Sequence, residues 1–326
     1  MGAEGATGVC VVGSVHMDVV AVADRLPGRG ESVVGHRAAL SPGGKAGNQA
    51  AQAARNGSQT FMIGRIGRDL FGDRLRAALE ASGVDTTYLI ANEQEATGVS
   101  PVLTGADGEY ASIIVPGAGQ RLSAADIDAA GDVFAQSAAL LLQCEIPLDI
   151  SAHAARLARS VGIRVLLNAS PPPADAALIP AELWAAVDLL IVNGAEAERL
   201  SGMPVGPIPE VESAVERLRQ RFGISTVVVT LGGRGAVALD DACLRHVPAW
   251  RVPVVETIGA GDAFAGVLAS ELARGLPLAE ALPLANAAGA LAVMRPGAHD
   301  ALPTRAEIGA FLRERQRGGG EGGEGG

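Results

Sequence analysis

Aromatic side chains are scarce: six Phe, two Tyr and two Trp serve 326 residues, although 48% of the chain is hydrophobic. Ala, Val and Leu must therefore do most of the packing, which favours helices lying close on a sheet. Cysteine is scarce too. Cys10, Cys144 and Cys243 stand apart with no C-x-x-C pair, which reads as buried, reduced thiols in a cytoplasmic protein. No apolar run approaches the ~20 residues that span a bilayer. Residues 1–8 also lack the basic and apolar stretches of a secretion signal, so no membrane partner is expected. The 26 Lys and Arg are outnumbered by 36 Asp and Glu and form no basic run, and with a net charge of −10 nucleic acid is not an expected partner. The histidines at 16, 36, 153, 246 and 299 make no metal cluster. A G-x-S-x-G elbow and a strand-linked G-x-G-x-x-G are both missing, which argues against a serine hydrolase and a nicotinamide dehydrogenase.

What is present is an alternation of short apolar runs with amphipathic segments, the pattern of a parallel sheet covered by helices. Strands are predicted at 9–13, 60–63, 138–143, 164–168, 189–193 and 226–230, each apolar enough to be buried on both faces. Helices are predicted from an Asp69 cap to about Ser82, from a Ser123/Asp126 capping box, over 211–221 before Gly223, and over 278–294. Residues 31–40 have no helical period, and 99–103 and 110–115 flank Asp107-Gly108, a typical hairpin dipeptide. These segments predict a small separate sheet acting as a lid, and such a sheet with one exposed face is a candidate dimer surface. The Gly/Glu tail over 318–326 has nothing to bury and is expected to be disordered, leaving 1–317 as a single domain with lid segments near 15–40 and 98–116.

The segment Thr257-Ile258-Gly259-Ala260-Gly261-Asp262 crowds small residues up to one carboxylate where a helix should begin. Bare glycine backbone and the unpaired N–H groups of a first turn make a site for phosphate. Asp262, kept ionised by the helix dipole, could orient a hydroxyl and take its proton, or it could simply be the N-cap of an ordinary turn. Other loops after strands carry similar ambiguity. Asp18, in Gly13-Ser14-Val15-His16-Met17-Asp18, can accept hydrogen bonds from sugar hydroxyls or make an Asx turn, while His16 beside it is as readily structural. Gly43-Gly44-Lys45-Ala46-Gly47-Asn48-Gln49-Ala50 opens an alanine-rich helix without the Walker A spacing; it can seat a sugar on backbone and the Asn48 amide, or be a turn with an exposed lysine. Glu145 ends a strand as Gln143-Cys144-Glu145, either in a site or on loop surface. Asn193 and Glu196 can hold water around Mg²⁺ or cap a helix. Thr230-Leu231-Gly232-Gly233-Arg234-Gly235 offers backbone, hydroxyl and guanidinium to phosphate, or forms a tight turn.

Taken in order, G-S-x-x-x-D, G-G-K-x-x-N, a strand-end Glu, N-x-x-E, T-L-G-x-x-G and G-A-G-D resemble the ribokinase branch of the PfkB carbohydrate kinases over residues 9 to about 315. The resemblance implies a ribokinase-like three-layer α/β/α sandwich with a mainly parallel central sheet, a β-sheet lid that pairs in homodimers, and ATP-dependent phosphorylation of a sugar hydroxyl. Ribose becoming ribose 5-phosphate is the leading reaction, with fructose, deoxyribose or a nucleoside as other acceptors; a non-catalytic sugar- or nucleotide-binding regulator is the rival outside catalysis. By the same resemblance Asp262 is the catalytic base and Ala260, Gly261 and Asp262 the anion hole. His16, Met17, Asp18, Gly44, Lys45, Ala46, Gly47, Asn48 and Glu145 line the sugar site. Asn193, Thr230, Leu231, Gly232, Gly233, Arg234, Gly235 and Asn286 contact the nucleotide, and Glu196 organises Mg²⁺ through water. A potassium site is implied at Glu256, Ile258, Ala292, Arg295, Gly297 and Ala301. This chain departs from the pattern at three of these positions: His16 replaces a usual Asn, Glu256 a usual Asp and Ala301 a usual Ser.

Overall fold

The computed structural model of the chain describes residues 6–105, 110–241 and 243–318. The N-terminal half runs β1 (Gly8–Val12), β2 (His16–Val22), β3 (Arg37–Gly43), α1 (Lys45–Arg55), β4 (Thr60–Gly67), α2 (Leu70–Ala81), β5 (Val84–Asp85), β6 (Leu89–Asn92), β7 (Thr97–Thr104), β8 (Tyr110–Ser112) and β9 (Val115–Gly117). The middle follows with α3 (Ala124–Ala129), α4 (Gly131–Gln136), β10 (Ser137–Leu142), α5 (Leu148–Ser160), β11 (Arg164–Asn168), α6 (Ala181–Ala186), β12 (Leu189–Asn193), α7 (Gly194–Ser201), α8 (Ile208–Phe222) and β13 (Thr226–Thr230). Two short strands, β14 (Ala236–Leu239) and β15 (Leu244–Val247), precede α9 (Ala260–Ala273), α10 (Leu278–Ala292) and α11 (Arg305–Gly318).

Ten strands form the central sheet in the order β15-β14-β13-β12-β11-β10-β1-β4-β5, with β6 also paired to β4. All its pairings are parallel except those of β14 with β13 and with β15. Both faces are covered, by one apolar cluster around α1, α9 and α10 and another around α3 to α8. That is why the parallel strands are continuous apolar runs; Leu140, Leu141 and Leu142 of β10 are all fully buried. A helix buried on one face shows the expected spacing, as in α8, where Val211, Ala214, Val215 and Leu218 point inward and Gly223 ends the helix with φ 67°. By contrast α9 is buried from Asp262 to Ala273. Its small residues let α1 come close: a Cβ on Gly266 would stand 2.7 Å from the Gln49 carbonyl oxygen and 2.7 Å from Gln52 Cβ. The shortage of aromatics thus becomes tight helix contact, and that contact delivers Gln49 to Asp262.

The lid is a second sheet, β3-β2-β7-β8 with β9 on β7. Its extent departs from expectation at several points. Only Arg37–Gly43 of the first segment is a strand, and the second splits into β8 and β9 around Ile113 and Ile114. The Asp107-Gly108 turn and the tail beyond Gly318 lie outside the described residues. Strand β4 runs on to Gly67 because Gly64–Gly67 pair with β6. Helix α8 begins three residues early, with a proline in its first turn where the missing N–H is not needed, and α10 stops at Ala292.

Strand β1 lies between β10 and β4, so successive connections leave it in opposite directions along the sheet. This is the topological switch point, where side chains at the carboxyl ends of the strands surround a crevice. A cleft of about 770 Å³ opens at the other edge, lined by Arg159, Arg164, Asp188 and Asp240 at or near the strand starts.

Candidate active site

Gly259 caps α9 in the left-handed region at φ 82°, and no side chain caps that helix. Asp262 is therefore not the N-cap. It is the third helical residue, 7% exposed, and its carboxylate turns to α1: Asn48 Nδ2 donates to Oδ2 at 3.1 Å and Gln49 Nε2 to Oδ1 at 2.9 Å. The first helical bond runs from the Ala263 N–H to the Gly259 carbonyl, so the amides of Gly261 and Asp262 lie ahead of the ladder. A Cβ on Gly261 would meet nothing within 4 Å, whereas one on Gly259 would strike Ala298 Cα at 2.9 Å. The turn is open in front and closed behind.

Burial is the largest influence on Asp262 and raises its pKa; the nearby Lys45 charge and the Gln49 and Asn48 donors pull the other way, and Glu145 pushes up again. Burial, which the helix start alone did not reveal, is thus the dominant influence on this group. A carboxylate lifted above its ordinary range is better matched to accepting a proton near neutral pH.

Several other positions expected to line a sugar site lie around the same crevice. Gly44 starts α1 at φ 86°, and a Cβ there would lie 2.7–2.9 Å from the backbone of Ser14, Val15 and His16. Having no side chain, it cannot cap α1. Glu145 does so from across the sheet, accepting the Lys45 N–H at 3.0 Å and the Ser14 hydroxyl through the same oxygen, Oε2. Lys45 is the only lysine among the 26 basic residues. Where every other cation is a planar guanidinium, this position keeps a compact ammonium, whose field reaches Asp262. On β2, alternation sets His16 and Asp18 on one face, His16 Nε2 lying 3.3 Å from Asp18 Oδ1. A Cβ on Gly43, across from them, would stand 2.4 Å from Asp18 Oδ2, so the carboxylate occupies the space that a side chain there would take. Met17 turns the other way into the core, fully buried. Ala46 and Gly47 are buried in the first turn of α1.

His16 is 5% exposed, and its Nδ1 has no hydrogen-bond partner, nor has Asn48 Oδ1. Burial pulls the imidazole pKa down, but the bond to Asp18 and the charges of Glu145, Asp18 and Asp262 outweigh it, and the net shift is upward. A protonated His16 then carries a second N–H for which a ligand oxygen is the natural acceptor.

The pfkB family carbohydrate kinase model matches residues 6–305. The chain belongs to that family. It is 33% identical to the ribokinase of Mus musculus, with 94% of each chain covered, and 31% identical to the deoxyribokinase of Salmonella typhi over 93% of this chain and 98% of that one. Among solved structures it resembles Arabidopsis thaliana ribokinase complexed with ribose and ATP, with TM-score 0.85, 30% identity and coverage of 94% of this chain and 99% of that one. Thermotoga maritima ribokinase matches with TM-score 0.82, 32% identity and the same coverage.

In this kinase Asn193 and Glu196 form a reciprocal capping box on α7, each side chain accepting from the other's backbone N–H at 2.8–2.9 Å. The capping alternative holds, and Glu196 is buried as it caps. Cys144 lies between: burial first, then the charges of Glu196 and Glu145, push its thiol up to about 12. After β13, Gly232 and Gly233 expose bare backbone where a Cβ would meet nothing within 4 Å. Leu231 donates to the Gly235 carbonyl at 2.7 Å and Thr230 Oγ1 to Val192 O at 3.4 Å. The Arg234 guanidinium is bonded to the Gly206 carbonyl. Asn286 donates to the Val247 carbonyl at 2.9 Å, which ties α10 to the end of β15.

The segments named for a cation do meet. Gly297 N–H donates to Glu256 Oε2 at 2.8 Å, and Val293 O accepts the amides of Val255 and Glu256. Arg295 pairs instead with Glu307, and Ala301, fully buried, offers no side-chain oxygen. Ile258 lies one residue before the Gly259 cap, and the Ala292 carbonyl accepts Arg295 N–H at 3.3 Å. Among the described residues no group of three or more His, Cys, Asp or Glu is arranged to hold a metal, and no helix is long and apolar enough to cross a membrane.

Three site residues escaped the sequence reading. Gln49, Gln143 and Asn168 are buried amides linked to Asp262, and their only signal was a polar residue at a strand's carboxyl end or inside a glycine-rich motif.

Proposed function

We propose that the chain is an ATP- and Mg²⁺-dependent ribokinase that converts D-ribose to D-ribose 5-phosphate with Asp262 as catalytic base. The observation that carries this reading is the Asp262 carboxylate, buried at the third position of α9 and held by Asn48 and Gln49 instead of capping the helix. Asp18, Lys45, Asn48 and the unpartnered Nδ1 of His16 orient the sugar. Asp262 takes the proton of its reacting hydroxyl as the γ-phosphoryl group moves, and the amides of Gly261 and Asp262 receive the developing charge. The backbone of Gly232 and Gly233, with Asn193 and Asn286 nearby, borders the nucleotide. Mg²⁺, when bound, neutralises phosphate charge, and Glu196 is the carboxylate positioned to hold its waters. Glu256 with the Ile258, Ala292 and Gly297 backbone forms a potassium site, made leaner by Ala301.

The reading further includes one kinase domain over 1–317, a cytoplasmic setting suited to its free cysteines, and a homodimer formed through the lid. Support for the last is the exposed apolar group Leu40, Leu103, Ile113, Ile114 and Val115 on the lid strands and their connection. Deoxyribose is the second acceptor to consider, because the Salmonella relative is named for it. A coupled ADP-release assay over ribose, deoxyribose, fructose and nucleosides decides: ribose should give the highest kcat/KM, and no turnover with any acceptor would defeat the kinase reading.

A further inference from the structure

We propose that Gln49 is a positioning residue for Asp262, and that Gln143 and Asn168 fix the polarity of its amide so that an N–H always faces the base. This rests on the reading of Asp262 as base. Asn168 Nδ2 donates to the Ile191 carbonyl at 3.1 Å, and a backbone carbonyl only accepts. Asn168 Oδ1 is therefore turned to Gln49, which must answer with its NH₂ at 2.9 Å. The same nitrogen donates to Asp262 Oδ1 at 2.9 Å, and the amide oxygen left over accepts from Gln143 Nε2 at 2.7 Å. An amide orientation is ordinarily ambiguous; here a main-chain carbonyl of the central sheet determines it from two residues away.

Gln49 is fully buried, so its amide is costly unless paired, and both its nitrogen and its oxygen are. Elsewhere α1 meets its neighbours through small Ala46, Ala50 and Ala53 and through Gln52, whose amide donates to the Pro303 carbonyl at 2.8 Å. Packing alone would be served by another small residue at 49. The amide supplies a charge-assisted bond that favours the ionised base.

The charged groups around Asp262 are Lys45 on α1, Glu145 after β10 and His16 on β2. All three stay in place in the test, which compares Gln49→Met and Gln143→Met with the wild-type full chain by pH profiles of kcat/KM for ribose at saturating MgATP. In Gln49→Met the acid limb should move up by about one pH unit. In Gln143→Met it should move the same way by less, because Asn168 still holds the NH₂. Equal loss of activity at all pH values, with the limb unmoved in whichever variant folds, overturns the proposal. If neither folds, nitrogen-15 glutamine labelling of the wild type replaces them. The Gln49 side-chain signal should titrate with the acid limb and stop titrating in Asp262→Asn; a signal indifferent to pH overturns the proposal. Full activity in Asp262→Asn would instead remove the base reading itself.

Discussion

Replacing Gly261 by alanine adds one methyl group at the second position of α9, where it would meet nothing within 4 Å. The fold should welcome it. Glycine inside a helix is worse than alanine by roughly 0.5–1 kcal/mol, which for a chain of this size raises Tm by about 0.7–1.5 °C. The same methyl group stands in front of amides that the transferring phosphoryl group must approach. Losing one such donor costs about 10²–10³ in kcat, so Gly261→Ala should be slightly more stable and at least a hundredfold slower. Gly259→Ala is the matched control. At φ 82°, with Ala298 Cα 2.9 Å from the new Cβ, it should lose stability and activity together. Thermal melts, calorimetric ribose binding and coupled ADP release separate the two variants. If Gly261→Ala keeps kcat within threefold of wild type, the phosphoryl group does not pass the first turn of α9, and the site as described is wrong.

Asp262→Asn should lower kcat by at least ~10² while ribose binding measured by calorimetry changes little; kcat within tenfold of wild type would remove it from the base role. Because the His16 pKa is raised above 6.5, protonated His16 contributes stability that is complete below about pH 6.5 and lost as pH rises through the folded value. The Tm difference between wild type and His16→Asn should shrink over that rise, and kcat/KM for ribose should lose its matching basic limb; a pH-independent difference contradicts a charged His16. His16→Asn should also change the ranking of acceptor sugars in the panel, and an identical ranking shows that position 16 does not set specificity. Exchanging potassium for sodium should reduce turnover through the Glu256 loop, and equal rates in the two salts would remove the cation site.

The layers were readable because their causes are local. Apolar runs at 164–168, 189–193 and 226–230 match β11, β12 and β13 residue for residue, and Asp69, Ser123 and Gly223 punctuate helices as their chemistry requires. The lid was legible only in outline. Strand β2 is half-buried and β3 mostly exposed, so their bounds depend on pairing partners that no short window contains. Among site residues, those in glycine-rich motifs stood out, since backbone that must approach a ligand advertises itself through glycine.

Residue type and local spacing determined that this chain is an α/β protein with a carboxylate at a glycine-rich helix start. Tertiary structure alone decided that Asp262 would be buried, which raises its proton affinity, and that Glu145 would cap a helix a hundred residues away. It also decided that the Arg234 guanidinium would bond the Gly206 carbonyl, and that Gln143, Gln49 and Asn168 would join into one chain of amides. Those outcomes depend on desolvation and on hydrogen-bond direction. Both are properties of groups brought together from distant segments, and neither exists until the sheet and α1 have closed around α9.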